Sequence, residues 1–313
     1  KIIMITYISG IKKLSQNTYE KLTTLTEISY VVINNDRELI EALNNCDVLW
    51  FRLNHKLSRV ILKNVRCKYI LCAVTGLDHI DTKACQDFGI KVISLKGERE
   101  FLKEVRATAE HTICLLLSLI RKTKKAFTHV EDGNWNRKLF KGTELYRKKI
   151  GVLGFGRLGK IVAEYASVFG MDVYYYDINP SCKDERYKRC KSLKDLVKKV
   201  DVLSIHVNYD NTNHHLINSE VLSIMNDNIQ IINTSRGGIV NEKDIIEFLE
   251  NHKKTGYATD VVFDEPNIEN SMIVKYAKKN NNVIITPHIG GNTYESIIKT
   301  EEFIANKFIK IIK

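Results

Sequence analysis

Short apolar runs alternate with amphipathic segments along the chain of 313 residues. The apolar runs have the length of strands, and the segments between them repeat apolar positions every three or four residues, as helices do. We predict strands at residues 2–8, 29–33, 48–51, 69–74, 92–94, 150–153, 173–176, 202–206, 229–233, 257–262 and 283–286. We predict helices at residues 37–43, 58–65, 81–88, 157–169, 193–198, 218–223 and 242–251. This alternation predicts an α/β protein whose parallel sheets are covered by helices on both faces.

Two longer helical patterns connect the halves of this alternation. Residues 98–125 begin with charged side chains and become apolar, and residues 293–313 have helical spacing after the last predicted strand. We therefore expect two lobes that are joined twice, with a cleft of the kind in which small ligands bind.

The composition is that of an ordinary globular protein, with 44% hydrophobic residues, 27% charged residues and a net charge of +11. The basic residues are spread over many segments with few aromatic side chains among them, so we interpret them as solvated helix faces and expect no nucleic-acid partner. No apolar run approaches the roughly 18 residues of a membrane span, and no secretion signal is evident. The seven cysteines form no C-x-x-C pair, which favours reduced thiols, a cytoplasmic location and no metal site.

A glycine-rich loop follows the predicted strand at 150–153 and precedes a predicted helix. Its pattern is Gly154-x-Gly156-x-x-Gly159, in which the glycines allow a tight turn, a close approach of a pyrophosphate and close helix packing. Asp177 ends the next strand, where a carboxylate would accept hydrogen bonds from ribose hydroxyls and repel a 2′-phosphate. The alternative is an ordinary strand–helix turn with a surface aspartate. We predict a site for NAD(H) rather than NADP(H).

Three charged side chains follow later strands of the same lobe, namely Arg236, Glu265 and His288. Ligands of open parallel sheets bind outside the carboxyl ends of the strands. Reducing a carbonyl requires a hydride and a proton, and an imidazolium is a suitable proton donor that a neighbouring carboxylate orients and keeps charged. An arginine binds a substrate carboxylate through two parallel hydrogen bonds. Each residue alone also has a structural explanation: a surface glutamate, an ion-paired arginine and a capped histidine.

Seven motifs in this order carry a resemblance to a known family: AVTGLDHID (73–81), TAEHTICLLL (108–117), GNW (133–135), GFGRLG (154–159), NTSRGGIV (233–240), DVVFDEP (260–266) and TPHIGG (286–291). The chain resembles the D-isomer-specific 2-hydroxyacid dehydrogenases over nearly its whole length. The resemblance implies an α/β fold of two lobes, in which a Rossmann-type NAD-binding domain (99–289) is inserted in a flavodoxin-like substrate-binding domain (1–98 and 290–313). It also implies a homodimer formed through the cofactor domain.

The resemblance assigns roles to individual residues. Arg236, Glu265 and His288 correspond to the catalytic triad of the family. The implied cofactor-binding residues are Thr108, Gly154, Gly156, Arg157, Leu158, Gly159, Asp177, His206, Val207, Thr234, Ser235, Asp260 and Gly290. The implied substrate-binding residues are Arg52, Val74, Thr75 and Gly76. The sequence departs from the family pattern at Asn208, where proline is usual after the His-Val pair.

Two functions remain open at this stage. The first is an NAD-dependent 2-hydroxyacid dehydrogenase that works as a reductase of a small 2-oxo acid. The second is an NAD(H)-sensing, corepressor-like binding protein on the same fold. The substrate is also open, because Arg52 and Lys56 suit a second anionic group whereas Leu53 and Leu77 suit a small apolar one.

Overall fold

The computed structural model of the protein describes residues 4–313, so Ile2 and Ile3 of the first predicted strand lie outside the described residues. The chain divides into two compact units. The first unit holds the chain up to Val105 together with Tyr294–Lys313, and the second unit is Arg106–Thr293. The family resemblance implies divisions after residue 98 and before residue 290.

The first unit is a parallel sheet with a flavodoxin-like strand order. Its elements are β1 (Met4–Ser9), α1 (Gln16–Thr23), β2 (Thr26–Val31), α2 (Asp36–Asn45), β3 (Val48–Phe51), β4 (Tyr69–Cys72), α3 (Thr82–Asp87), β5 (Lys91–Ser94) and α4 (Arg99–Leu102). The strands lie in the order β2-β1-β3-β4-β5, and each neighbouring pair is parallel. This is the 2-1-3-4-5 order of doubly wound sheets.

The second unit is a larger parallel sheet. Its elements are α5 (Ala107–Arg121), α6 (Thr123–Glu131), β6 (Lys149–Leu153), α7 (Arg157–Val168), β7 (Asp172–Tyr176), β8 (Lys188–Arg189), α8 (Leu193–Val197), β9 (Val202–Ile205), α9 (Ser219–Leu222), β10 (Gln230–Asn233), α10 (Glu242–Asn251), β11 (Gly256–Thr259), α11 (Met272–Lys279) and β12 (Val283–Ile285). The order β12-β11-β10-β9-β6-β7-β8, counted from β6, is the Rossmann order 3-2-1-4-5-6 extended by one strand. Helix α12 (Tyr294–Ile312) then completes the first unit.

The central strands β9, β10 and β11 of the second unit are buried on both faces because helices cover both. Ile231 and Ile232 are neighbours in β10 and belong to separate hydrophobic cores. Ile232 packs in the core that includes α5 and α7, and Ile231 packs in the core that includes α10. Successive side chains of a strand point to opposite faces, so an unbroken apolar run fills both cores.

Two predicted helices were wrong. Residues 58–65 form turns with one helical hydrogen bond, from Leu62 N–H to the Ser58 carbonyl at 3.1 Å, and Asn64 has a left-handed φ of 60°. The predicted long helix at 98–125 is interrupted after α4 and again at Lys122, whose φ of 56° separates α5 from α6. Left-handed backbone at a lysine leaves little trace in the sequence, so the break at Lys122 was not predicted.

Smaller differences concern strand ends and short helices. Strand β11 ends at Thr259 rather than at residue 262, so Asp260 lies just beyond the strand and not within it. The sequence pattern missed α1, α11, the larger part of α6 and the two-residue strand β8. Helix α1 buries only Thr18 and Leu22, which gives no apolar stripe to recognise. Within residues 4–313, no helix is both long enough and apolar enough to span a membrane.

Candidate active site

Residues predicted for the site follow six neighbouring strands of the second sheet at its carboxyl edge. In spatial order, β12 is followed by His288, β11 by Asp260 and Glu265, β10 by Thr234–Arg236, β9 by His206 and Val207, β6 by the glycine loop, and β7 by Asp177. The chain leaves β6 toward β7 on one side and later reaches β9 on the other, so β6 is the switch point of the sheet. With strands ~4.8 Å apart, about 14 Å separate the end of β6 from that of β11.

The glycine loop after β6 contains three glycines, and a different constraint explains the glycine at each position. Gly154 has a φ of +88°, and a Cβ atom there would lie 2.7 Å from the His206 carbonyl. A Cβ at Gly159 would lie 2.1 Å from the carbonyl oxygen of Gly154. A Cβ at Gly156 would meet nothing within 4 Å, and its φ of −77° suits any residue. Intramolecular packing therefore does not require glycine at 156, whereas a phosphate approaching the start of α7 would.

Asp177 connects the end of β7 to the glycine loop. Its Oδ2 accepts a hydrogen bond from the Phe155 N–H at 2.7 Å, and its Oδ1 accepts one from the Asn179 N–H at 2.7 Å. Each carboxylate oxygen can accept more than one hydrogen bond, so both retain capacity for ribose hydroxyls. Arg189 donates to the carbonyl oxygens of Asp177 and Asn179 at 3.2 and 3.3 Å and thereby holds the turn that presents the carboxylate.

His206 contributes its backbone, rather than its imidazole ring, to this edge of the sheet. Its Nε2 lies 2.7 Å from Ser204 Oγ, and its Nδ1 is buried with no hydrogen-bond partner among the described residues. Burial lowers the pKa of His206 to about 3, so the ring is neutral near pH 7. The carbonyl of His206 and the N–H of Val207 pack against Gly154, which places the backbone of this segment beside the glycine loop.

His288 and Glu265 are joined directly. The Nδ1 atom of His288 lies 2.6 Å from Oε1 of Glu265, and both side chains are less than one-third exposed. A carboxylate only accepts hydrogen bonds, so Nδ1 carries the hydrogen of this bond. His288 has a left-handed φ of 53°, and its N–H donates to the Asp260 carbonyl at 2.9 Å.

Asp260 fixes the segment around His288 through hydrogen bonds to its carboxylate. Its Oδ1 accepts from Thr286 Oγ1 at 2.6 Å and from the Ile289 N–H at 2.8 Å, and its Oδ2 accepts from the Gly290 N–H at 2.7 Å. Burial acts to raise the pKa of Asp260, but the hydrogen bonds from His111, Thr286 and the two backbone N–H groups lower it below its usual value. The carboxylate is therefore ionised, and most of its accepting capacity is used inside the protein.

Arg236 lies in a turn that is fixed from both ends. The buried side chain of Asn233 accepts from the Ser235 N–H at 3.0 Å and donates to the Arg236 carbonyl at 2.9 Å. Arg236 Nη1 donates to the Ser235 carbonyl at 2.8 Å. A Cβ at Gly237 would lie 2.2 Å from the Val262 carbonyl carbon, so the Arg236 turn packs against the segment that leads to Glu265.

The predicted substrate-binding residues lie in the first unit, after β3 and β4. Arg52 Nη2 donates to Oε1 of Glu301 at 2.9 Å, and the Glu301 side chain is 1% exposed. Val74 bridges to β5, because its carbonyl accepts from the Leu95 N–H at 3.1 Å. Thr75 is exposed and Gly76 is partly buried.

The sequence pattern gave no role to three residues that the structure places in these networks. They are His111, which contacts Asp260 and Thr286, Asn233, which fixes the Arg236 turn, and Glu301, which pairs with Arg52. His111 and Asn233 stand within motifs of the family resemblance, which was the available signal. Within residues 4–313, no three His, Cys, Asp or Glu side chains are grouped so that they could hold a metal ion.

Comparison with known proteins places this geometry in a family. The pattern of the D-isomer specific 2-hydroxyacid dehydrogenase NAD-binding domain matches residues 113–290. A D-3-phosphoglycerate dehydrogenase of Methanocaldococcus jannaschii is 31% identical over 304 residues, which are 96% of this chain and 56% of that protein. A hydroxypyruvate reductase of Thermotoga maritima is 33% identical over 260 residues, 83% of this chain and 82% of that protein.

Solved structures agree with these relatives. D-lactate dehydrogenase of Aquifex aeolicus, solved with NAD and lactic acid, has a TM-score of 0.80 and 28% identity, and the match covers 98% of this chain and 95% of that one. The chain spans about half the length of several phosphoglycerate dehydrogenases that it matches. The chain belongs to the D-isomer specific 2-hydroxyacid dehydrogenase family, and residues 113–290 match its NAD-binding domain.

Proposed function

We propose that the protein is an NAD-dependent D-2-hydroxyacid dehydrogenase that works as a reductase of small 2-oxo acids. The observation that carries this proposal is the 2.6 Å contact between His288 Nδ1 and Glu265 Oε1 at the sheet edge that also bears the glycine loop. A paired imidazole and carboxylate form a proton donor, and the glycine loop is suited to a dinucleotide. The relatives named as hydroxypyruvate and glyoxylate reductases support the same reaction class.

The cofactor would lie along the carboxyl edge of the second sheet. We assign the pyrophosphate to the loop of Gly154, Gly156 and Gly159 with Arg157 and Leu158 at the start of α7, and the adenosine ribose to Asp177. The nicotinamide end would extend toward the segments after β10, β11 and β12. Thr108, Thr234, Ser235, Asp260 and Gly290 would line that end, and His206 and Val207 the adenine side. Bound NADH supplies the hydride for the reduction.

The proton and the substrate carboxylate would be handled by the triad. His288 donates a hydrogen bond from Nδ1 to Glu265 and keeps that hydrogen, so Nε2 of the imidazolium is left to donate its proton to the carbonyl oxygen of the substrate. Glu265 orients the ring and stabilises its charged form. Arg236 binds the substrate carboxylate with its guanidinium, since the fixed fork of donors matches two carboxylate oxygens.

We assign the other substrate-binding residues to the first unit. The backbone N–H groups of Thr75 and Gly76 follow β4 at the carboxyl edge of that sheet, where they would bind the substrate carboxylate. Val74 lies beside them, and its own N–H donates to the Cys72 carbonyl at 2.8 Å. Arg52 follows β3 at the same edge and is oriented by Glu301.

We also propose that the protein is a homodimer through the second unit. Helix α6 and the segment that follows it expose large apolar side chains, including Phe127 (66%), Trp135 (89%) and Leu139 (58%). The family resemblance suggests the helix that contains residues 115–120 as the interface, but Leu116 and Leu119 of that helix are buried in the core of their own unit, so we assign the contact to α6 and the segment after it. Light scattering of the purified protein should give twice the mass of the chain, and Trp135→Glu should shift it toward the monomer. A monomeric parent protein would contradict the dimer.

The function is tested by NADH oxidation with a panel of 2-oxo acids: pyruvate, glyoxylate, hydroxypyruvate, 2-oxoglutarate and 3-phosphohydroxypyruvate. We expect turnover with at least one of them, and faster turnover with NADH than with NADPH. His288→Asn should lower kcat about 100- to 10,000-fold, the usual range for loss of a general acid, and should keep NADH binding.

The control is His252→Asn. His252 also pairs through Nδ1 with a carboxylate, Asp227, at 3.1 Å, but it lies at the C-terminal end of α10 rather than among the strand-end residues. It should retain the parent activity. Parent-level turnover in His288→Asn would refute the assignment of the proton donor. A parent protein that binds NADH and reduces no member of the panel would instead favour the NAD(H)-sensing function.

A further inference from the structure

One face of helix α5 contacts the segments that follow three neighbouring strands. Thr112 Oγ1 lies 2.9 Å from Thr234 Oγ1 after β10. His111 Nε2 lies 3.3 Å from Asp260 Oδ1 after β11 and 2.9 Å from Thr286 Oγ1 after β12. These strand ends also lead to Arg236, Glu265 and His288, so a single helix touches the base of every segment that bears a member of the triad.

The partners of His111 determine which of its ring nitrogens carries a hydrogen. The Thr286 hydroxyl donates its hydrogen bond to Asp260, and Thr286 Oγ1 lies 2.6 Å from Asp260 Oδ1. The ionised carboxylate of Asp260 has no hydrogen to give. Both neighbours of His111 Nε2 therefore present lone pairs, and Nε2 must be the donor. His111 thus donates a hydrogen bond to Thr286 that is shared with Asp260.

This bond closes a network around the turn that contains His288. Thr286 and Gly290 on either side of the turn are tied to the Asp260 carboxylate, and His111 is tied to both Thr286 and Asp260. The left-handed φ of 53° at His288 costs about 1–2 kcal/mol for a residue with a Cβ atom, so the surrounding bonds must stabilise the turn. A Cβ at Gly290 would lie 3.7 Å from the His111 ring, which shows that the ring also packs beside the far end of the turn.

We propose that His111 is a positioning residue that fixes the turn carrying His288 through its Nε2–H bond to Thr286 and Asp260. This inference rests on the proposed function for its catalytic consequence, but the geometry of the turn can be measured without turnover. His111 acts through these two residues rather than on the substrate. A displacement of about 1 Å in a catalytic group lowers turnover about 100-fold, so loss of the bond should be visible mainly in kcat.

The test compares His111→Leu, which removes the donor, with His111→Gln, whose side-chain amide places an N–H near the position of Nε2. We expect His111→Leu to lower kcat about 10- to 100-fold while the NADH dissociation constant stays within threefold of the parent. His111→Gln should recover most of the lost kcat. His252→Leu, a change at the C-terminal end of α10 outside this network, should retain the parent kcat.

Hydrogen exchange followed by mass spectrometry gives a second readout that does not depend on activity. The Ile289 and Gly290 amides should exchange at least tenfold faster in His111→Leu and near the parent rate in His111→Gln. Unchanged exchange in His111→Leu would overturn the inference whether or not the protein reduces 2-oxo acids. If the amides exchange faster in His111→Leu but the parent protein itself reduces no 2-oxo acid, the positioning role is supported and the proposed function is contradicted. Equal kcat values for His111→Leu and the parent would also overturn it.

Discussion

Replacement of Asp260 by asparagine is the most direct test of the hydrogen-bond network under the candidate proton donor. The carboxylate is 2% exposed and accepts from Thr286 Oγ1, the Ile289 N–H and the Gly290 N–H at 2.6–2.8 Å. Asparagine has nearly the same shape but only one accepting oxygen. If that oxygen keeps the bonds to Thr286 and Ile289, the amide NH₂ must face the Gly290 N–H, and two donors then oppose each other.

The magnitude follows from these contacts. Loss of one hydrogen bond to a charged acceptor costs about 1.5–3 kcal/mol, and a buried donor left unpaired costs about 1–3 kcal/mol. Removal of a buried negative charge relieves a desolvation cost that offsets part of this loss. We expect Asp260→Asn to lower the free energy of unfolding of the second unit by about 2–4 kcal/mol, a large share of the roughly 5–15 kcal/mol that stabilises a typical domain.

The pH dependence has a defined sign. The folded-state pKa of Asp260 is lowered below the ordinary value of 3.8, so its stabilising contribution is complete above that pH and is lost as the pH falls through the folded-state pKa. The stability difference between the parent and Asp260→Asn should therefore be constant from pH 8 to pH 5 and should shrink only below about pH 4.

Scanning calorimetry of the full chain is the assay, because it can resolve separate transitions for the two units. Asp201→Asn is the control, since Asp201 accepts a single backbone bond, from the Lys149 N–H at 2.8 Å, at the opposite end of β6. We expect that control to lose less than about 1 kcal/mol. A loss below 1 kcal/mol in Asp260→Asn, or a difference that already shrinks between pH 8 and pH 5, would refute the network as described.

Three further predictions concern cofactor binding and the first unit. Asp177→Ser removes the ribose acceptor and should lower kcat/KM for NADH about 10- to 100-fold. The ratio of kcat/KM for NADH to kcat/KM for NADPH should fall as well, which steady-state kinetics with both cofactors will measure. Gly156→Val should fold with a parent-like melting temperature but bind NADH at least tenfold more weakly by fluorescence titration, whereas Gly159→Val should lose stability instead, because its Cβ overlaps a backbone carbonyl. Arg52→Met leaves Glu301 buried without its partner and should lower the free energy of unfolding by about 3–5 kcal/mol in calorimetry. The loss should be larger at pH 8 than at pH 5, because burial raises the pKa of Glu301. The double variant Arg52→Met, Glu301→Gln should recover most of the lost stability.

The strands of this fold are predictable because parallel strands are apolar on both faces. The observed β3 coincides with its predicted range, and most other strands differ from theirs by one or two residues. The helices were less predictable where their boundaries depend on tertiary contacts. Lys122 takes a left-handed conformation that ends α5, although neither it nor its neighbours are residues that normally mark such a break.

The members of the candidate site were predictable by position, but their bonds were not. The motifs place charged residues at strand ends, and parallel topology brings strand ends to one edge. Which atoms meet depends on segments far apart in sequence: His111 and Thr286 are separated by 175 residues. Asp260 illustrates the difference. Its motif suggests a contact to the cofactor, whereas its carboxylate is largely engaged with the turn that carries His288.

The position of helix α5 gives the two halves of the candidate site a common support. The helix contacts β10, β11 and β12, which lead to Arg236, Glu265 and His288, and it also contacts α7, which begins at the glycine loop. A change in the apolar core of α5, such as Leu116→Ala, should therefore disturb NADH binding and turnover together, because it loosens the contacts to both halves. A change at His111 alters only the bonds to the segments after β11 and β12, so it should separate turnover from NADH binding. The two kinds of substitution on one helix thus distinguish a structural contribution from a positioning one.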